Sequence, residues 1–362
     1  MSFLKKIFGG KKVRQQITST DEFWNWFSTE EKVLFNAVKT RNQVQEYLQK
    51  IIDKLQELNP DLYGLIGMHD DAAAELVITP EGDIKNIVFA EEIASAAPAM
   101  PGWKITALKP EMGFESISIE MNDFTFNAEK LKFYTFPNAS RPDEIEIHLL
   151  HEDYVAENHN EIANGALIFL DNAIGEITMA TQIDDVFFEA SANGAALIPV
   201  EKLKDYLLWR EKEFVEKYEG IRYDTENDEY TGMEATDEND MPMIAMVNQK
   251  LLSWDAKASH PWMLVIEIVY KGNEAGMPGN DIYALMNEFE ETMMEKLKDS
   301  DGYLNTGRQT YKNERTIFFA CKEFRECSKV TSNIIKDYTD KLKISYSIYK
   351  DKYWKTMDRF MH

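Results

Sequence analysis

The chain has 362 residues, 44% of them apolar and 28% charged, which is too long for one ordinary core and too apolar for a disordered chain. Its 63 acids against 40 bases give a net charge of −23, the wrong sign for a protein that coats nucleic acid. Two cysteines cannot staple such a chain, and no apolar run reaches the roughly 18 residues of a spanning helix, so a disulfide-built module and a helical membrane protein are both excluded.

Residues 1–14 hold five bases (Lys5, Lys6, Lys11, Lys12, Arg14) and no acid. Phe3, Leu4, Ile7 and Phe8 fall on one helical face among the lysines, the pattern of a weak contact with an anionic membrane surface. The segment lacks the long apolar region and cleavage site of a secretory signal, so the expected location is the cytoplasm. Next, Thr20 or Asp21 is expected to cap a short helix carrying Phe23, Trp24, Trp26 and Phe27, with capping boxes at Ser28/Glu31 and Thr40/Gln43. The two tryptophans read as the seam between a helix and a sheet rather than as a ligand platform. Val44, Tyr47, Leu48, Ile51, Ile52, Leu55 and Leu58 then recur at helical spacing until Asn59 and Pro60 stop the helix.

Strands are expected at Leu62–Met68, Glu75–Thr79, Trp103–Leu108, Leu131–Phe136 and Glu144–Leu150, and helices at about 83–96 and 160–173. An extended stretch, Gly175–Phe188, a short strand, Ala195–Pro199, and a charged helix, Val200–Tyr218, close this part. Strands and helices without regular βαβ alternation argue for an α+β domain over residues 15–218. Residues 218–241 hold nine acids and one base, Arg222, so 219–241 reads as an acidic connector, a mobile link or a loosely held loop. Residues 242–362 are almost neutral, with 18 bases and 17 acids.

In this last part, strand His260–Tyr270, a helix over 281–298, the hairpin Tyr303–Tyr311 and Glu314–Cys321, a helix over about 325–340 and strand Ile344–Tyr349 follow one another. That is a βαββαβ order, the arrangement of ferredoxin-like domains, with Ile244–Leu251 as a possible added strand. The run from His260 through Pro261 and Trp262 to Ile268, the helix start near Met277 and Pro278, the hairpin from Gly302 to Cys321 and the closing stretch Asp351–Trp354 together resemble a bacterial domain of unknown function. That domain is a ferredoxin-like module similar in fold to the type B regulators of ribonuclease E activity. The amino-terminal unit, with its turn from Ala96 to Trp103, resembles another uncharacterised bacterial domain. The resemblance implies at most a module that binds protein, and it assigns no catalytic residue.

His148, His151 and His159, with Glu152 and Asp153, are the densest set of metal-ligand types. Val155 stands where a His-Glu-x-x-His site needs its second imidazole, and a spacing of three sends His148 and His151 to opposite faces of a strand. They are weak candidates, and no metal or cofactor is expected. Asp224, Glu226 and Asp228 fail the calcium-loop pattern, which needs glycine where Glu229 stands and glutamate where Ala235 stands. Cys321 and Cys327 read as small buried hydrophobes. Of an RNA-recognition strand only Arg315 and Phe319 fit, and Arg308, Lys312 and Arg315 are ordinary surface content, so no nucleic-acid partner is expected. The sequence thus favours a non-enzymatic binding or regulatory protein docking through acidic surface on a basic protein partner. The alternatives are a hydrolase or nuclease-like enzyme with dispersed carboxylates, and a peripheral membrane factor recruited by residues 1–14.

Overall fold

The computed structural model describes residues 16–192 and 194–361, so the basic segment 1–14 lies outside the described residues. The chain divides into two units, one of residues up to 79 together with 90–107, the other of residues 80–89 with 108–361.

In the first unit, α1 (Thr20–Thr40) is one long helix where two were expected. Ser19 caps it, its hydroxyl oxygen accepting the Glu22 N–H at 3.3 Å, and Asp21 and Glu22 stand where the helix dipole favours acids. Ser28 therefore sits mid-helix and caps nothing. Phe23, Trp24, Phe27, Leu34, Ala37 and Val38 form one buried stripe running through that position, and continuous burial overrides a local cap preference. Arg41 and Gln43, both left-handed, turn the chain into α2 (Val44–Leu58), while the Thr40 hydroxyl bonds back to the Asn36 carbonyl instead of capping. β1 (Tyr63–Met68) pairs antiparallel with β2 (Ala74–Thr79), and β2 pairs parallel with β3 (Trp103–Ala107) by way of α3 (Ile84–Ser95). Phe27 meets the Trp103 ring edge-on at 5.0 Å, and Trp24 donates its indole N–H to the Ile93 carbonyl at 2.8 Å, so these aromatics sit in the helix–sheet seam.

The second unit opens with a hairpin, β4 (Ile119–Met121) and β5 (Phe124–Phe126), and then β6 (Leu131–Tyr134) and β7 (Glu146–His151). α4 (His159–Ile174), α5 (Glu176–Gln182), β8 (Asp185–Phe188), β9 (Ile198–Pro199) and α6 (Leu203–Tyr218) follow. The strands from β6 onward form a sheet of order β8-β7-β6-β9. Residues 176–182, expected as extended chain, are helical. The buried Glu176 carboxylate fixes the start of that turn by accepting the N–H groups of Gly82 at 2.7 Å and Lys109 at 2.9 Å.

The acidic connector 219–241 is also corrected, because Tyr230–Thr236 is a strand, β10, paired with β11 (Pro242–Asn248). Its neighbouring acids are tied down: Asp228 accepts from the Asn248 amide at 2.7 Å, and Asp237 accepts from the Tyr311 hydroxyl at 2.7 Å and pairs with Lys312 at 2.6 Å. Strand β11 ends at Asn248, whose side chain caps the single turn α7 (Gln249–Leu252). β12 (Trp262–Val269), α8 (Asn280–Lys296), β13 (Tyr303–Tyr311), β14 (Glu314–Cys321), α9 (Arg325–Tyr338) and β15 (Lys343–Lys350) complete the chain. The sheet has the order β10-β11-β13-β14-β12-β15 with every neighbouring pair antiparallel. α8 and α9 pack on one face. The other face is closed by Trp354, Met357 and Phe360 over Met263, Val265, Leu304 and Phe318. The architecture is α+β throughout, and among the described residues no helix is long and apolar enough to cross a membrane.

The expected domains 15–218 and 242–362 meet inside this second unit. Asp143 accepts hydroxyls of Tyr218 at 2.8 Å and Tyr353 at 2.7 Å and pairs with Lys217, while Asp184 pairs with Lys350 at 3.2 Å and Lys352 at 2.8 Å.

Candidate functional site

The helix-facing side of the carboxy-terminal sheet carries polar groups where a core would carry apolar ones. β13 supplies Asn305, Arg308 and Thr310, and β14 supplies Arg315. α8 supplies Tyr283, Asn287 and Glu290, whose spacing of four and three places them on one stripe. In a regular strand Asn305 and Arg308 would point to opposite faces. The β13–β14 register shifts between Asn305 and Gly307, and this bulge returns both side chains to the helix side. Gly307 permits it, with φ 147° and a carbonyl oxygen, that of Met246, only 2.5 Å from where a Cβ would stand.

Glu290, 5% exposed, accepts from Arg308 at 2.7 Å and from the Asn305 amide at 3.3 Å. Tyr230 reaches in from β10 and donates its hydroxyl to the Asn305 carbonyl at 3.0 Å, leaving its ring partly exposed. Burial, then the charges of Glu290 and Asp228, push that phenol well above its ordinary value. Arg315, 1% exposed, donates to Asn287 at 2.7 Å and to Thr310 at 3.3 Å, with its guanidinium 5.0 Å from the Tyr283 ring. These partners are neutral. Burial and the nearby Arg308 lower its affinity for its proton, and the field of Glu290 works the other way.

Beside this network lies a depression of about 270 Å³ lined by Tyr230, Met246 and Met294, by Glu290 and Glu291, and by Arg308. Glu290 is neutralised by Arg308, which leaves the exposed Glu291 as the uncompensated charge on the rim. Met294 is 43% exposed, and Ile244 on the neighbouring strand is also exposed. Thioether and ring walls under a carboxylate suit a cation on an apolar stem.

Residues 234–362 match a protein family of unknown function, DUF695. The match takes in the last three residues of β10 and everything after it, including α8 and the bulge, while Tyr230 stands just outside. It agrees with the expected likeness to an uncharacterised domain and names no activity. No curated protein and no solved structure matches the chain.

The three histidines go to three different places. His148 stacks between Tyr134 at 4.7 Å and Phe187 at 4.9 Å, with Nδ1 3.3 Å from Glu189. His151 lies on the other side of β7, where its Nδ1 accepts the Asp153 N–H at 3.2 Å and its Nε2 therefore donates to the Thr125 carbonyl at 2.9 Å. His159 bonds the Tyr154 hydroxyl at 3.0 Å. One carboxylate group the sequence did not single out, Glu144, Glu146 and Asp185, brings oxygens within 4.8 Å of one another. Arg141 at 2.6 Å and Lys355 at 3.0 Å already neutralise Glu144, so this is an ion-pair cluster.

Asp224 accepts the Glu226 N–H at 2.9 Å in a local turn, and Asp228 serves Asn248. Cys321 and Cys327 are buried free thiols, as expected, and burial beside Cys321 holds the Cys327 thiol well above its ordinary value. Arg315 and Phe319, the two residues that fit an RNA-recognition strand, are buried toward the helices and present nothing to a base. Lys312 and Arg308 are paired with Asp237 and Glu290. Tyr230, Glu290, Glu291 and the bulge were not singled out in the sequence. Their signal is Glu290 falling at an apolar-stripe position of α8, between Phe289 and Met293.

Proposed function

We propose that the protein is a non-enzymatic, regulatory binding protein of the bacterial cytoplasm whose carboxy-terminal module, a ferredoxin-like βαββαβ core, receives a basic segment of a protein partner along α8. The observation that carries this reading is the depression with Glu291 on its rim and Met246, Met294 and Tyr230 as its walls. A lysine or arginine would lay its methylene stem on the thioethers and set its charge between the carboxylate and the Tyr230 ring. The net charge of −23 would steer such a partner in and repel acidic ones.

The test uses a fluorescent, amphipathic lysine-rich peptide and its glutamate counterpart, with anisotropy on the full chain. The lysine peptide should bind, weaken as salt rises, and lose about tenfold or more in affinity with Glu291→Lys, while the glutamate peptide should not bind. Equal affinity for the wild type and Glu291→Lys would remove this face from consideration. Met294→Ser should weaken binding without changing its salt dependence.

A further inference from the structure

The sheet of order β8-β7-β6-β9 lays one face on the apolar core of the second unit, and its other face carries a ladder of rings. Tyr134 on β6, His148 on β7 and Phe187 on β8 stand directly opposite one another across the strands. Tyr134 stacks on His148 at 4.7 Å and 8°, and His148 on Phe187 at 4.9 Å and 22°. Phe136 closes over Tyr134 and His148 edge-on, at 5.1 and 5.5 Å. Among the described residues no ring closes the Phe187 end. β8 is the edge of the sheet, so one face of the Phe187 ring lies on His148 and the other turns to the open side, leaving the residue 42% exposed.

The backbone of β8 is open on that same side. The N–H groups of Asp185 and Glu189 donate to the carbonyls of Ile145 and Leu149 at 3.3 and 3.0 Å, and in a parallel pair the residues between them turn the other way. Val186 and Phe188 therefore direct their N–H and C=O groups away from the sheet, where no strand of the described residues pairs with them. Their side chains pack on the core and hold the strand in place. The face of β8 that bears Phe187 also bears Asp185 before it and Glu189 after it, so the ring is flanked by carboxylates. Asp185 is exposed, makes no ion pair among the described residues and stands opposite a like charge, Glu146. Glu189 sets its carboxylate 3.3 Å from Nδ1 of His148.

A sheet edge with unpaired backbone groups is a template for a further strand, and its side chains decide which strand fits. A guest strand places every second residue beside Asp185, Phe187 and Glu189. The two carboxylates call for cations. On Phe187 a planar guanidinium stacks flat and becomes the fourth member of the ladder, which a compact ammonium group cannot do. A second copy of this chain would bring the same acids and the same net charge of −23 to the edge, and the two would repel. We propose that β8 is a docking edge for an extended basic segment of another protein, which adds to the sheet as a strand and lays an arginine on Phe187 between two cations that pair with Asp185 and Glu189. The site is separate from the Glu291 depression and does not depend on it.

The experiment uses the full chain and a blocked, fluorescent Thr-Lys-Val-Arg-Val-Lys-Thr peptide, with affinity read by anisotropy and hydrogen exchange followed at the Val186 and Phe188 amides. At about ten times its dissociation constant the peptide should slow both amides about tenfold. Exchanging its arginine for lysine should weaken binding about two- to fivefold in the wild type and leave it unchanged in Phe187→Leu. Asp185→Asn should weaken binding about threefold at low salt, and less as salt rises. Glu291→Lys should leave the amide protection intact, so failure at this edge and failure along α8 are told apart. A peptide methylated on every backbone nitrogen keeps the charges, loses the donors and should protect neither amide. Equal affinity for the methylated peptide, or exchange unchanged at both amides, would overturn the proposal, since the peptide would then be held by charge alone. A wild-type dimer that Val186→Pro dissociates would give the edge to a second copy and overturn it as well.

Discussion

His260 is a histidine with no exposed surface, its Nδ1 paired with the Ser259 hydroxyl at 2.9 Å and its Nε2 without a partner. The edge of Trp254 packs on it at 5.4 Å, and its carbonyl holds the Trp354 indole N–H at 3.0 Å. Burial, with Lys322 and Arg222 adding repulsion, pushes its pKa down to about 4. Above pH ~6.5 the ring is neutral in both folded and unfolded chains, and it contributes no pH dependence. As pH falls below that, the unfolded chain gains a proton the folded one refuses, so stability drops by roughly 3 kcal/mol before pH 4 is reached. Urea unfolding of the wild type between pH 7 and 4.5 should therefore slope more steeply than that of His260→Phe. The carboxylates held low, such as Asp143, lose their contribution only further down, as pH falls through their own depressed values. Parallel profiles for the two proteins would mean that the ring is solvated.

At the level of elements, the β13 bulge decides what the carboxy-terminal site contains. Gly307 holds φ 147° and lies against the Met246 carbonyl, so Gly307→Ala must both strain the backbone and push β11 away from β13. A loss of about 2–3 kcal/mol is expected, against less than about 1 kcal/mol for Gly232→Ala, where the space is ordinary. Denaturant midpoints of the two variants give the comparison, and similar values would show that the sheet edge absorbs the change. The neighbouring strands were readable because composition and turn chemistry agree. β12 and β14 are short runs rich in β-branched and aromatic residues, and Lys312 and Asn313 both take the positive φ of a tight hairpin turn. The bulge was not readable, since one extra residue breaks the alternation without leaving a signal of its own. β10 was hidden by its composition: acids, glycine and threonine read as a linker until its pairing with β11, and the bonds of the flanking Asp228 and Asp237 to Asn248, Tyr311 and Lys312, are seen. α1 was split in the reading because Ser28 and Glu31 satisfy a local pattern that the buried stripe overrules. Of the candidate site, Arg308 and Arg315 were visible only as surface bases, because nothing in a linear chain pairs them with Glu290 and Asn287.

Across the second unit, the amino-terminal acids and the carboxy-terminal bases meet in one buried seam. Asp143 and Tyr353 lie 210 positions apart, which is why block-by-block charge counting treated their regions as separate bodies. The seam is unevenly charged, with one carboxylate, Asp184, facing both Lys350 and Lys352. Burial lowers the Lys350 pKa to about 8, with the repulsion of Lys352 adding to it and Asp184 opposing it. Since that folded value lies below the unfolded one, the strain is present in full below about pH 8 and is relieved as pH rises toward the ordinary lysine value. Asp184→Asn leaves two buried ammonium groups without their carboxylate and should cost about 3–5 kcal/mol, whereas Lys352→Met leaves Lys350 and Asp184 as a balanced pair and should cost less. Hydrogen exchange tests whether the seam also couples the halves. Amides of α4 and of β12 should open together in the wild type and in Lys352→Met, but at separate free energies in Asp184→Asn. Equal costs for the two substitutions would mean that Asp184 does not balance both lysines, and separate opening in the wild type would mean that the seam is a contact between bodies that fold independently.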